Sequence, residues 1–175
     1  PDMLIAQITD THIKLPGRLA YKKVDTAAML RRCVQELLAL SPQPDIVLLT
    51  GDLVDLGRPE EYEHLKSILA PIRQRIIAIP GNHDEREAMR EAFRDGGYLP
   101  EQGKFLQFAI DDYPLRLVGL DTLIPGQGGG ELCAERLDWL DRALADRPDV
   151  PTLVMMHHPP FVTGIGHMDK IGLSG

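Results

Sequence analysis

Asp45-Ile46-Val47-Leu48-Leu49-Thr50-Gly51-Asp52-Leu53-Val54-Asp55 is the stretch that decides the architecture. Its apolar run is short and β-branched, too short for a buried helix and suited to a strand covered on both faces. The run stops at Gly51 and delivers Asp52. Working outward, the same sentence recurs. Met3–Thr9 ends in Asp10-Thr11-His12, Arg75–Pro80 in Gly81-Asn82-His83-Asp84, Leu115–Leu120 in Asp121-Thr122, and Thr152–Met156 in His157-His158-Pro159-Pro160. Amphipathic segments lie between these runs. Asp25 or Thr26 caps a helix to about Leu40, with Met29, Leu30, Val34, Leu37 and Leu38 at helical spacing. Pro59 opens a second helix, with Glu60 and Glu61 facing the helix dipole and Tyr62, Leu65, Ile68 and Leu69 buried. A short third helix follows Asp84. A fourth spans about Ala134–Ala145, with Leu137, Leu140 and Leu144 on one side.

Strand–helix–strand alternation predicts an α/β layered sandwich, parallel early in the chain. Lys104–Ile110 and Leu115–Leu120 read as a hairpin through Asp111-Asp112-Tyr113-Pro114. Gln127-Gly128-Gly129-Gly130 reads as a flexible loop. It lacks the Lys-Ser/Thr of a phosphate loop. His64 is expected on a solvent-exposed helix face, and Tyr21, Tyr98 and Trp139 as packing residues.

Composition excludes several classes. At 175 residues, 43% hydrophobic and 26% charged, the chain is one ordinary globular unit. Two cysteines, Cys33 and Cys133, build no disulfide framework and read as free thiols, which points to a reducing, cytoplasmic setting. No apolar run reaches the length of a membrane helix, so no membrane partner is expected. A net charge of −7 without a Lys/Arg run argues against a general nucleic-acid binder.

The residues gathered at the strand ends suit one task. In open α/β sheets the crevice lies beyond the carboxyl ends of the strands, so groups far apart in sequence converge there. Asp10 and His12 are two apart, and an extended backbone would point both the same way. Asp52 has two oxygens and can bridge two cations. Asn82 offers a carbonyl oxygen, and His157 a nitrogen. Oxygen and nitrogen donors without thiolate suit Mn, Fe, Zn or Co. Two such divalent ions about 3.5–4 Å apart can activate water and clamp a phosphoryl group.

Asp10-x-His12, Gly51-Asp52-x-x-Asp55, Gly81-Asn82-His83-Asp84 and His157-x-Pro159 resemble, in that order, the calcineurin-like metallophosphoesterase family, over residues 10 to 160. Gly57-Arg58-Pro59-Glu60-Glu61-Tyr62, His157-His158-Pro159-Pro160 and Met168-Asp169-Lys170-Ile171 are similar to its glycerophosphodiesterase and cyclic-nucleotide phosphodiesterase subgroup. The resemblance implies an α/β/β/α sandwich and hydrolysis of small phosphodiester substrates at a dinuclear metal centre. It assigns Asp10 and His12 to one metal, Asp52 to the bridge, and Asn82 and His157 to the other. His83 would stabilise the transition state or donate a proton, with Asp84 orienting it. The His-x-Pro spacing selects His157 over His158. Asp55 is read as structural, and Asp121 as a backbone anchor.

The family also carries a late Gly-His-x-His that completes both metal sites. Here Gly166-His167 is followed by Met168-Asp169. Residues 1–175 are therefore expected to be the N-terminal portion of a single metallophosphoesterase domain, C-terminally truncated. On its own it is expected to hold metal weakly and turn over poorly, and at full length to form a homo-oligomer. The rival readings are a phosphomonoesterase or nuclease on the same site, or an inactive fragment. A redox or dinucleotide-binding domain lacks its Cys-x-x-Cys or Gly-x-Gly-x-x-Gly.

Overall fold

The computed structural model describes residues 3–174. Ile46–Thr50 forms β2, buried along its whole length. β1 (Ile5–Ile8) and β3 (Arg75–Ile79) flank it in parallel, with Ile5 opposite Ile46 and Ile46 opposite Arg75. A strand apolar on both faces is stable only at the centre of a covered sheet. The cover comes from α1 (Thr26–Ala39) and α2 (Pro59–Leu69), which bury Leu30, Val34 and Leu37, and Tyr62, Leu65, Ile68 and Leu69. Asp25 caps α1, accepting from the Ala28 N–H at 2.9 Å. Glu61 does more than face a dipole. Its buried carboxylate accepts from the Leu56 and Arg58 N–H groups at 2.9 and 3.3 Å, capping the start of the helix. The short α3 (Arg86–Ala92) packs against α2.

The second sheet joins β4 (Phe108–Ile110), β5 (Arg116–Gly119) and β7 (Thr152–Met155). β4 and β5 form the expected antiparallel pair, and β7 runs parallel to β5. The run from Lys104 is strand only over its last three residues, because the Leu106 N–H turns to the Asp121 carboxylate at 2.9 Å instead of a ladder. The two sheets share one core. Gly119 lies so close to Phe108 and Ile79 that a Cβ there would overlap both. α4 (Ala134–Asp146) lies beside the second sheet, tied by the Arg116 guanidinium to the Ala143 carbonyl.

Several local expectations change. The glycine run is not free, because Gly130–Glu131 forms β6 and pairs with β8 (Leu173–Ser174). The leucine side of α4 is largely uncovered, with Leu137 45% and Leu144 38% exposed, and the buried side chain of that helix is Arg136. Tyr21 is exposed, whereas Tyr98 is buried and accepts from the Ala78 N–H at 2.9 Å. His64 is half-buried, its Nδ1 2.7 Å from the Lys14 carbonyl. Both cysteines are free thiols. Among the described residues, no helix is long and apolar enough to cross a membrane.

Candidate metal centre

The first sheet ends in backbone that no regular element would adopt. Asp10, His12 and Asp52 all have positive φ, at 54°, 42° and 50°. For residues with a Cβ this region is costly, on the order of 1–3 kcal/mol each, and persists only where neighbours enforce it. The enforcement is visible. The Asp10, His12 and Ile13 N–H groups donate to the Gly51, Asp52 and Leu53 carbonyls at 3.1, 2.9 and 3.0 Å, zipping the loop after β1 onto the loop after β2. Asp10 and His12 are thus brought together by left-handed turns rather than by extended backbone. Gly51, at φ 96°, tolerates no side chain, because a Cβ there would run into the His157 ring.

Asp52 sits buried at the centre. Its Oδ2 is 3.6 Å from His12 Nε2 and its Oδ1 3.5 Å from His157 Nε2. Oδ1 also accepts the His83 N–H at 2.9 Å. Asp10 Oδ1 lies 3.9 Å from His12 Nε2. His157 Nδ1 is 2.9 Å from the Thr50 carbonyl, which makes Nδ1 the protonated nitrogen and aims Nε2 at Asp52. Burial pushes the Asp52 carboxyl up, but the hydrogen bond and charge of His157 outweigh it and hold it below its ordinary range. Burial pulls His157 down, yet Asp52 and the Thr50 carbonyl lift it to about 9. Such a centre favours a shared positive charge.

Two groups of donor atoms each fall within 4.8 Å of one another: Asp10, Asp52 and His157, and His12, Asp55 and His83. The sequence reading put Asp10 and His12 in one set and left Asp55 out. The Asp55 carboxylate, paired with Lys14, faces His12 and His83. Its place at the end of Gly51-Asp52-x-x-Asp55 was the available signal. Asn82 lies in the turn whose Gly81 backbone abuts Asp52, on the wall of a cleft of about 630 Å³. His83 is exposed on that cleft, its ring edge-on to His12 at 4.7 Å, with Nδ1 2.7 Å from the Asp55 carbonyl.

The expectation that Asp84 orients the His83 ring does not hold. Asp84 is buried and accepts from the Tyr62 hydroxyl at 2.8 Å and from the Gly81 and Leu53 N–H groups at 2.8 and 3.2 Å. It shapes the two loops, and the Asp55 carbonyl holds the ring. Burial outweighs these bonds and lifts Asp84 to about 6. Asp121 anchors backbone as expected, accepting from the Leu106 and Leu123 N–H groups and taking a two-pronged ion pair from Arg86 at 2.7 and 2.9 Å. His158 turns away from Asp52 to the Thr122 hydroxyl at 2.7 Å, and burial together with His157 pushes it down to about 4.

The sequence pattern of the calcineurin-like phosphoesterases matches residues 3–171. The chain belongs to the calcineurin-like phosphoesterase family. It is 41% identical to a probable glycerophosphodiester phosphodiesterase GpdQ of Arcobacter nitrofigilis, over 95% of this chain and 61% of that protein. It is 32% identical to the 3',5'-cyclic adenosine monophosphate phosphodiesterase CpdA of Escherichia coli K12, over 97% and 60%. The chain thus spans about three-fifths of the length of these curated relatives. Among solved structures, the purple acid phosphatase PPD1 of yellow lupin shares the fold, with a TM-score of 0.57 at 14% identity over 90% of this chain and 30% of that one.

The donors fit the divalent ions this family of phosphoesterases uses. Bonds of about 2.0–2.2 Å to a shared ion place neighbouring donors roughly 3–3.5 Å apart. The Asp52–His12 and Asp52–His157 separations of 3.6 and 3.5 Å lie close to that spacing.

Proposed function

We propose that this phosphoesterase domain hydrolyses a phosphodiester bond in a small substrate of glycerophosphodiester or cyclic-nucleotide type. Asp10, His12, Asp52, Asn82 and His157 would hold two divalent cations, with Mn, Fe, Zn or Co suited to the donor set. The observation that carries this reading is one buried carboxylate set between two imidazoles, 3.6 and 3.5 Å away. The names of the relatives support the substrate class.

When bound, the two cations supply an activated water and neutralise phosphoryl oxygens. The chain's own residues do the rest. The Asp55 carbonyl can only accept, so His83 carries its proton on Nδ1 and presents Nε2 to the cleft. In its protonated form Nε2 donates to a phosphoryl or leaving-group oxygen. The His83 N–H holds Asp52 Oδ1 in place, tying this ring to the metal-binding carboxylate. The chain is acidic, so attraction of an anionic ester falls to the bound cations.

The test, made on the full-length protein, is hydrolysis of bis(p-nitrophenyl) phosphate with added Mn²⁺, with metal content measured in parallel. His83→Ala is expected to lower kcat by about 10²–10⁴-fold and keep its metal. Asp52→Asn is expected to lose metal and rate together. Equal metal loss in both variants makes His83 a ligand instead. Absence of diester hydrolysis at every Mn²⁺ concentration overturns the reading.

A further inference from the structure

The cleft beside His83 is lined on one side by Asp55, Leu56 and the turn from Asn82 into the start of α3 at Arg86 and Glu87, and on the other by the strip from Leu123 to Gly128. The second wall is Leu-Ile-Pro-Gly-Gln-Gly, without an ionisable side chain. Its shape is therefore a backbone shape, set by what stands behind it. At one end Leu123 is pinned, its N–H donating to Asp121 at 3.1 Å and its carbonyl accepting from Arg86 at 2.6 Å. At the other end the loop runs onto His158, where a Cβ on Gly130, two residues beyond the wall, would overlap that ring.

His158 is only 2% exposed, and the chemistry above does not use it. Its Nδ1 bonds to the Thr122 hydroxyl at 2.7 Å, while its Nε2 is buried with no hydrogen-bond partner among the described residues. A buried polar atom left unpaired costs more than an apolar side chain of the same volume would, so plain packing is a poor account of an imidazole here. The ring also stands edge-on to His157 at 5.0 Å, so it touches a metal-site residue on one side and the cleft wall on the other.

We propose that His158, held by Thr122 and packed under Gly130, is a positioning residue that fixes the glycine wall of the cleft and sets KM for the alcohol portion of the ester. The KM half rests on the phosphodiesterase reading, and the anchoring half does not. The alcohol portion is the part concerned because the wall lies beside His83, on the cleft rather than over Asp52.

Thr122→Val removes the hydroxyl and keeps its shape. Amide exchange across Gln127–Gly130 is expected to quicken by about three- to tenfold, the loss of one hydrogen bond. KM for bis(p-nitrophenyl) phosphate should rise by a similar factor, and KM for the smaller methyl p-nitrophenyl phosphate by less. The kcat and Mn²⁺ content should hold. Gly130→Ala lifts the loop off the ring without touching Thr122 and should reproduce the KM pattern. Unchanged exchange and KM in both variants overturn the proposal. A fall in kcat with loss of Mn²⁺ also overturns it, by making His158 a support for His157. A wild type that hydrolyses no diester removes the phosphodiesterase reading and the KM half with it, while exchange still decides the anchoring.

Discussion

Leu65 in α2 and Leu137 in α4 hold the same kind of place, on the apolar side of an amphipathic helix, yet Leu65 is fully buried and Leu137 is 45% exposed. The contrast extends to their surroundings. Around β2 the core is built of aliphatic and aromatic side chains, to which α1 and α2 contribute. β5 gives Leu117 to the same core, but around α4 the ties are ionic or run to carbonyls: Arg86 to Asp121, Arg136 to Glu131 and to the Asp121 and Leu123 carbonyls, and Arg116 to Asp111 and the Ala143 carbonyl. Area-driven burial stabilises the first region. The second is positioned by directional bonds, which fix geometry well and tolerate exposure.

If that contrast is right, the largest single loss should come from the ionic region. Asp121 is wholly buried, and Asp121→Ala takes the ion-pair partner from Arg86, whose side chain is 14% exposed. The expected cost is about 3–5 kcal/mol in urea unfolding. A cost under 1 kcal/mol would mean that the cluster is decorative. Leu65→Ala comes next, at about 2–5 kcal/mol from lost burial and a cavity. It should leave the cleft's geometry intact, read as unchanged exchange in Gln127–Gly130.

A pH experiment sharpens the comparison, because each region holds one buried group shifted in the opposite sense. Asp84, lifted to about 6 from 3.8, binds its proton more tightly folded than unfolded, so it lowers stability as pH rises from about 4 to 6. His158, pushed down to about 4 from 6.5, releases its proton more readily when folded, so it raises stability across nearly the same window. The two slopes should largely cancel in the metal-free protein, giving a flat profile between pH 4 and 6.5. Asp84→Asn should expose a rising profile and His158→Gln a falling one, each on the order of 2–3 kcal/mol end to end. Parallel profiles in the two variants would break the pairing. The smallest effect is expected at α4's open face, where Leu137→Ala should stay within about 0.5 kcal/mol. A loss matching that of Leu65→Ala would show that this face is covered in solution.

Much of this was legible in the sequence. The Ile46–Thr50 run could only be a central strand, and the spacing of Leu30, Val34 and Leu37 could only be a buried helix face, because periodicity reports burial directly. The strand-end position of Asp10, His12, Asp52, Asn82 and His157 followed from the same punctuation. What stayed hidden was direction. Asp84 reads like a partner for its neighbour His83, but its oxygens are taken by Tyr62 and two loop N–H groups. Asp55 reads as structural, but its carboxylate lies within 4.8 Å of donor atoms of His12 and His83.

By itself, then, the sequence determined the order of strands and helices and which polar residues follow each strand. These depend on local periodicity and on where each run stops. Only the tertiary structure decided which donors face one another, that His158 turns to Thr122, and that α4 leaves Leu137 and Leu144 open. The physical reason is that loop side chains aim where backbone bonds from distant segments send them. The His12 N–H reaches the Asp52 carbonyl at 2.9 Å, and that bond, absent from any local pattern, bends His12 toward the carboxylate it serves.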